Sequence, residues 1–255
     1  MAIDQSDPKS PAQQIADQLR AVIRSGDLAP GDRVPSTSQL METYGVAYQT
    51  ARNAIDALKG EGLVETRKGA GAFVRRLPPM IRLGSDRYSR AVRDGGKAPF
   101  QAEAETAGLT WSQEILALET VPAPAWVAEW FDIPAGTEVF ARRRRTLLEG
   151  VPTQLGDSYY RLEVVEGTAI MQEDTGPGGG YARLEEVGHK LTKFREELAS
   201  RQPTPEEVSA LRLSRGTTVV ELHRIAFTEA GPVEVFRSVL AGDRHTFAYE
   251  FEAPA

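Results

Sequence analysis

Residues 10–76, SPAQQIADQLRAVIRSGDLAPGDRVPSTSQLMETYGVAYQTARNAIDALKGEGLVETRKGAGAFVRR, decide the fold. Ser10-Pro11-Ala12-Gln13 is a capping box: Ser at the N-cap, Pro at the first helical position, and Gln three residues on to return the hydrogen bond. Ile15, Leu19, Val22 and Ile23 follow at i, i+4, i+7 and i+8 as one apolar stripe. Gly26 supplies the left-handed residue that ends this helix near Ser25. After a turn through Leu28-Ala29-Pro30-Gly31 the device repeats, with Ser36 as N-cap and Gln39 three later. Leu40, Met41 and Tyr44 give the buried side of a short second helix. Gly45-Val46-Ala47 is the tight break of a helix-turn-helix, and a third helix is predicted from about Tyr48 to Glu61. On it Ala51, Ala54, Ile55 and Leu58 face inward, which leaves Tyr48, Gln49, Arg52 and Asn53 outward near its N-terminal end. Leu63–Thr66 and Ala72–Val74 then alternate as two strands around the basic turn Arg67-Lys68-Gly69-Ala70-Gly71. The pattern is a winged helix-turn-helix, whose third helix suits a major groove and whose hairpin tip suits phosphates or the minor groove. A Lys-Gly tip alone is ordinarily a solvated turn; its place directly after a helix-turn-helix gives it meaning.

Composition is compatible with this. At 255 residues the chain is long enough for two domains, and 41% hydrophobic with 26% charged is an ordinary globular balance. It has no cysteine, which excludes disulfides and thiolate metal sites. No apolar stretch approaches the roughly 18 residues of a membrane span, and the polar start Met1-Ala2-Ile3-Asp4-Gln5 is unlike a signal peptide. A cytoplasmic location is therefore expected. The net charge of -6 is unevenly spread: residues 1–76 hold 10 Lys+Arg against 9 Asp+Glu, and the remainder 20 against 27. A near-neutral reading head needs its cations on one face, and a single head then binds modestly and with strong salt dependence. That argues for a homodimer on inverted-repeat duplex DNA, one half-site per head.

Gln14 to Val74 resemble the GntR-type bacterial transcription regulators. The matching residues are Ile15-Ala16-Asp17-Gln18-Leu19, Gly26-Asp27-Leu28-Ala29-Pro30-Gly31-Asp32, Val34-Pro35-Ser36 and Glu61-Gly62-Leu63-Val64. The resemblance implies DNA contacts from Arg52 and from Lys68-Gly69. Tyr48, Gln49 and Thr50 join them by position, and Ser36, Thr37 and Arg67 complete the candidate DNA-binding set. The chain departs from the family pattern at Ser38 and Tyr48, where arginines are common, and at Ala47, where a Ser or Thr cap is usual. The missing cap should cost about 1 kcal/mol of helix stability, and a missing arginine removes a bidentate guanine contact.

Leu77-Pro78-Pro79 stiffens the exit from the wing, so the expected division is 1–76, a linker at 77–81, and 82–255. The overall expectation is α+β, with an antiparallel sheet in the second domain. A helix is predicted at Asp86–Arg93, a break at Gly95-Gly96, a strand at Glu114–Val121 and a helix at Ala123–Phe131. Strands are predicted at Glu138–Leu148 and Pro152–Tyr160, then a helix at Tyr181–Gly188 and extended chain at His189–Ser200. A capping box at Thr204-Pro205-Glu206-Glu207 starts another helix. Strands at Thr217–Thr228 and Val233–Ala241 should form a hairpin about Gly231-Pro232, and His245–Phe251 should close the sheet. Residues 80–252 resemble the UTRA domain, the effector-sensing module of the HutC-like branch of those regulators, a mixed α/β chorismate-lyase-like fold. That resemblance rests on Arg142-Arg143-Arg144-Arg145, Gly150-Val151-Pro152, Ser158-Tyr159-Tyr160, Pro203-Thr204-Pro205-Glu206-Glu207, Gly231-Pro232-Val233-Glu234 and Gly242-Asp243-Arg244.

On a strand the four arginines alternate: Arg142 and Arg144 face one way, Arg143 and Arg145 the other, with Ala141 and Leu147. Burying a guanidinium without a partner is costly, so an inward pair implies an anionic ligand or buried carboxylates. The resemblance implies that arginines of this strand hold an effector's carboxylate or phosphate, completed by an acidic residue of the late hairpin. The candidate effector-binding set is Arg143, Arg145 and Glu234, with Tyr160 and Glu197. The competing reading is surface salt bridging to Glu173, Glu185 or Glu196. His189, His223 and His245 lack ligand spacing, so no metal is expected, and no cofactor. Gly178-Gly179-Gly180 lacks the strand-helix setting of a phosphate loop and reads as a lid or plain loop. Trp126 and Trp130 read as core.

The chain thus reads as a DNA-binding transcriptional regulator, a repressor whose operator affinity a small anionic ligand changes. The alternatives are a ligand-independent plasmid- or development-control protein, or a lyase-like enzyme. No nucleophile-base pair or carboxylate dyad favours the enzyme.

Overall fold

The computed structural model describes residues 3–67, 69–75, 80–84, 86–88, 96–214 and 216–250. The chain divides into two compact units, residues 1–79 with 213–218 and residues 80–212 with 219–255.

In the first unit α1 (Pro11–Ser25), α2 (Thr37–Tyr44) and α3 (Tyr48–Gly60) precede a hairpin of β1 (Val64–Arg67) and β2 (Gly71–Val74). The caps explain the starts. Ser10 and Ser36 each accept from the backbone of the Gln three residues on, and that Gln returns the bond to the cap backbone. Gly26 and Gly45 adopt left-handed φ of 87° and 63° at the ends, a conformation that costs glycine little. Ala47 caps α3 with no side-chain bond. Ile15, Ala16 and Leu19 of α1, Leu40 of α2, and Ala51, Ala54, Ile55 and Leu58 of α3 bury one core with Val34, Val64, Ala72 and Val74. Two polar ties lock the helices: Tyr44 donates to Gln18 Oε1 at 2.9 Å, and Arg20 reaches both Glu61 oxygens at 2.5 and 2.7 Å. The segment before α2 adds a short antiparallel bridge, Arg33 to Phe73, which steadies the hairpin.

The second unit is built on a six-stranded antiparallel sheet ordered β4-β5-β6-β9-β8-β7. Its strands are β4 (Trp111–Pro122), β5 (Glu138–Leu148), β6 (Val151–Arg161), β7 (Lys193–Arg201), β8 (Val219–Thr228) and β9 (Gly231–Ala241). Helix α4 (Pro99–Thr106) precedes the sheet, α5 (Ala125–Phe131) joins β4 to β5, and α6 (Leu162–Val165) and α7 (Gly179–Glu186) lie between β6 and β7. Helix α8 (Pro205–Leu211) starts at the Thr204 capping box, as its sequence predicts. On one sheet face Val127, Ala128 and Phe131 of α5 pack on Val139, Ala141, Tyr159 and Val235. On the other, Tyr181 and Leu184 of α7 and Ile170 pack with Phe140 and Tyr160.

Several expectations need correction. His245–Phe251 does not close the sheet: β10 (His245–Ala248) pairs in parallel with β3 (Met80–Leu83) in a separate two-stranded sheet. Both flanks of β9 are already taken by β6 and β8, and the 3₁₀ turn Gly242–Arg244 redirects the chain. Phe251 lies outside the described residues. Of the predicted helix at 86–93, the described part is one 3₁₀ turn, Asp86–Tyr88; residues 89–93, and Gly95 of the expected break, lie outside them. The β8–β9 turn falls at Glu229-Ala230 rather than Gly231-Pro232, which open β9. The extended segment after α7 becomes strand only from Lys193.

Candidate functional site

Two surfaces follow from these elements. The first is the exposed flank of α3. Because Ala51, Ala54, Ile55 and Leu58 are buried, Tyr48, Gln49, Arg52 and Asn53 project outward, with Tyr48 53% exposed. Gln49 donates to Asn53 Oδ1 at 2.8 Å, and Arg52 lies 3.6 Å from Asp56 in an exposed pair that water screens. Thr50 is half-buried. Ser36 and Thr37 sit half-buried at the start of α2, with the Ser36 hydroxyl engaged in the cap. In the hairpin Arg67 lies along its own strand, paired with Glu65 at 2.8 Å and stacked 4.4 Å over Phe73. Gly69 forms the exposed turn with φ 75°. Lys68 and Arg76 lie outside the described residues.

The second is a cavity of about 120 Å³ in the second unit, walled by β3, β5, β8, β9 and the start of α7. Its wall carries five guanidiniums, Arg82, Arg87, Arg142, Arg144 and Arg224, and one carboxylate, Glu234. Strand parity decides which of the four consecutive arginines enter. Arg142 and Arg144 share the face of Phe140 and Thr146; Arg143 and Arg145 share the face of Ala141 and Leu147. Arg143 and Arg145, expected from the sequence to hold an effector, do not line this cavity. Arg143 pairs with Glu119 at 3.1 Å and Arg145 with Glu114 at 2.5 Å, both on the far side of the sheet. Glu197 does not line the cavity either: it is exposed on edge strand β7 and pairs with Arg195 at 2.5 Å. Trp126 and Trp130 also lie with the α5 core, Trp126 stacked 4.9 Å from His223.

Tyr160 and Glu234, by contrast, line the cavity. Glu234 is 2% exposed and accepts from the Tyr160 hydroxyl at 2.8 Å, the Tyr181 hydroxyl at 2.8 Å and Arg224 Nη2 at 3.0 Å. Burial disfavours its charge, yet Arg224 and Arg144 outweigh that and hold the carboxyl below its ordinary range. Burial chiefly, with the Glu234 charge added, pushes both phenols up, so they remain donors. Glu234 therefore has both oxygens occupied from within and serves to position Arg224. Arg142 is likewise committed: it donates to the carbonyls of Ile170, Gln172 and Glu173, clamping the chain between the 3₁₀ turn at 169–171 and α7. Arg87 pairs with Glu103 at 3.3 Å.

Arg144 differs. Among the described residues no hydrogen bond or ion pair holds it; the Phe236 ring lies 5.3 Å away and the Glu234 charge acts on it through space. The same ring lies 4.3 Å from Arg224. Gly156 makes room for it: a Cβ there would stand 3.0 Å from the Phe236 ring. Arg82 Nη2 and Arg224 Nε are also buried without a hydrogen-bond acceptor. Gly178-Gly179-Gly180 forms part of the wall, but the Gly178 and Gly179 amides bond to Gly96 and Gly176 carbonyls, so the run is the packed entry to α7 rather than a phosphate cradle. No cluster of His, Asp and Glu able to hold a metal occurs among the described residues. No helix there is long and apolar enough to cross a membrane.

The pattern described as bacterial regulatory proteins, gntR family, matches residues 11–74, and that of the UTRA domain matches residues 106–246, more than half of the chain. An uncharacterized HTH-type transcriptional regulator of Streptomyces coelicolor is 38% identical over 97% of this chain and 95% of its own. The chain belongs to the GntR family. It is a transcriptional regulator of that family with a UTRA domain. Other relatives include the HTH-type transcriptional repressor NagR of Bacillus subtilis, 24% identical over 98% of each chain. The histidine utilization repressor of Pseudomonas putida is 26% identical over 90% of this chain and 87% of its own. A solved GntR-family regulator matches with TM-score 0.61 and 29% identity over 96% of this chain and 99% of that one. The structure of PhnF from Mycobacterium smegmatis, 23% identical over 94% and 100%, shares the fold with TM-score 0.61.

Proposed function

We propose that this regulator is a homodimeric repressor whose grip on operator DNA is altered by a small anion bound among Arg82, Arg144 and Arg224. The carrying observation is Arg144, a guanidinium turned into a cavity with no hydrogen-bonding partner among the described residues. Arg144 is half-buried and Arg82 and Arg224 are buried, and cations so placed call for compensation; this wall offers one carboxylate, already saturated by three internal donors. What the cavity presents is therefore donors: Arg144, Arg82 Nη2 and Arg224 Nε. Phosphate or carboxylate oxygens suit it, and an ammonium does not. The repressor reading is supported by the relatives named repressors.

At the DNA surface the reading assigns base contacts to Tyr48, Gln49, Thr50 and Arg52, with Ser36, Thr37, Arg67, Lys68 and Gly69 on the phosphate backbone. Arg52 is held only by an exposed pair with Asp56, which leaves it available to a base edge. Two heads on an inverted repeat supply the affinity that one near-neutral head lacks.

The test is fluorescence anisotropy of the full chain on a duplex from its own upstream region, with and without inorganic phosphate, sulfate and small dicarboxylates at matched ionic strength. Arg52→Ala should weaken DNA binding by about 5- to 150-fold, the worth of one bidentate base contact of about 1–3 kcal/mol. Arg144→Gln should shift the anion response to higher anion concentration at unchanged DNA affinity, and Arg143→Gln should leave it intact. Equal loss of the response in both arginine variants would overturn the assignment of the cavity.

A further inference from the structure

The cavity arginines do not stand on equivalent supports. Arg142 and Arg144 come from β5 and Arg224 from β8, both interior strands of the six-stranded sheet, with neighbours on either side. Arg82 comes from β3, which begins at Met80, directly after Pro79, where the first unit's N-terminal segment ends. Strand β3 has a single strand partner, the four-residue β10, and packs besides on α4 and the turn Asp86–Tyr88; a two-stranded sheet gains little from its own ladder.

In that pair the Arg82 side chain is buried, 2% exposed. Its internal partners are few. Nη1 donates to Gln154 Oε1 of β6 at 3.2 Å, and the guanidinium lies 5.6 Å from the Phe247 ring of β10. Nη2 is buried with no acceptor. An unsatisfied buried donor is unfavourable, most of all on a cation, so the protein's own contacts leave Arg82 incompletely compensated.

We propose that Arg82 is the positioning residue through which an anion in the cavity fastens β3, the strand that continues the chain from the DNA-binding unit, to the central sheet. The inference rests on the anion-site reading above. An oxyanion bridging Arg82 and Arg144 satisfies the orphan Nη2 and adds a charge-assisted bond between a loosely held strand and a rigid one. Occupancy is thereby converted into order in the segment adjoining residues 3–75, without requiring the sheet itself to move. A ligand can act in this way only if it binds the fastened state of β3 more tightly than the loose one, which an unsatisfied donor on β3 provides.

Hydrogen exchange of the full chain, read by mass spectrometry with inorganic phosphate, sulfate or matched chloride, tests this. Phosphate or sulfate should raise the melting temperature and slow amide exchange in 81–84 and 246–248 by roughly tenfold or more, with smaller changes in β5 and β8. Arg144→Gln should need more phosphate but keep the slowing at saturation, whereas Arg82→Gln should lose it at saturation. Because Arg82 is buried, circular dichroism accompanies that variant; if it does not fold, the unsubstituted protein's exchange pattern decides alone. Stabilisation by the anions without slower exchange in β3 and β10 overturns the inference and leaves the anion site standing. Absence of both stabilisation and slowing overturns the anion site, and this inference with it.

Discussion

Acid should destabilise the second unit through His245. This side chain sits on β10, 7% exposed, with Nδ1 3.0 Å from the Ala241 carbonyl and Nε2 buried without a partner. Burial lowers its pKa to about 4; the Ala241 bond opposes this, and the charges of Arg244 and Arg87 reinforce it. In the unfolded chain the imidazole titrates near its ordinary 6.5. The sign follows directly. Between those values the unfolded chain binds more protons than the folded one, so stability is full above about pH 6.5 and falls as pH drops toward about 4. At pH 5 the population ratio is (1 + 10^1.5)/(1 + 10^-1), about 30-fold, or about 2 kcal/mol. For a unit of this size that is a melting-temperature loss of about 4–8 °C. Thermal melts at pH 7 and pH 5, followed by circular dichroism, compare the protein with His245→Asn, whose amide can still donate to Ala241 but does not titrate. The variant should lose about 4–8 °C less than the parent over this interval. Parallel losses in the two proteins would refute the argument, because the acid effect would then come from other groups.

Two further outcomes are expected. Ala47→Ser should restore a side-chain cap to α3 and stabilise the first unit by about 1 kcal/mol in urea unfolding. Glu234→Gln should cost about 3–5 kcal/mol in the same assay, because it leaves Arg224 buried without its countercharge.

The first unit was legible almost to the residue because its signals are local. Ser10 and Ser36 cap within three positions, Gly26 and Gly45 end helices by backbone conformation, and a 3.6-residue period names the buried face of α3. In the second unit, strand parity correctly separated Arg142 and Arg144 from Arg143 and Arg145, but could not say which pair entered a cavity. Both sheet faces are covered, so apolar neighbours such as Ala141 and Leu147 mark a packed face and not the ligand face. Phe140, two residues before Arg142, was the available clue. Arg224 and Arg82 carried no local signal, since their importance comes from residues 10 and 72 positions away, Glu234 and Gln154. The displacement of β10 from the main sheet was equally non-local: it depends on β9 having no free edge.

Gly156 contributes no atom to the cavity wall, yet it governs what the wall can enclose. From β6 it grants the Phe236 ring its resting place beneath two guanidiniums. A methyl group at 156 would crowd that ring, which itself lines the chamber. The dimensions of the chamber can thus be adjusted at one backbone position while its charge stays constant. Size and polarity of the preferred guest are separable traits in this scaffold, set on different strands.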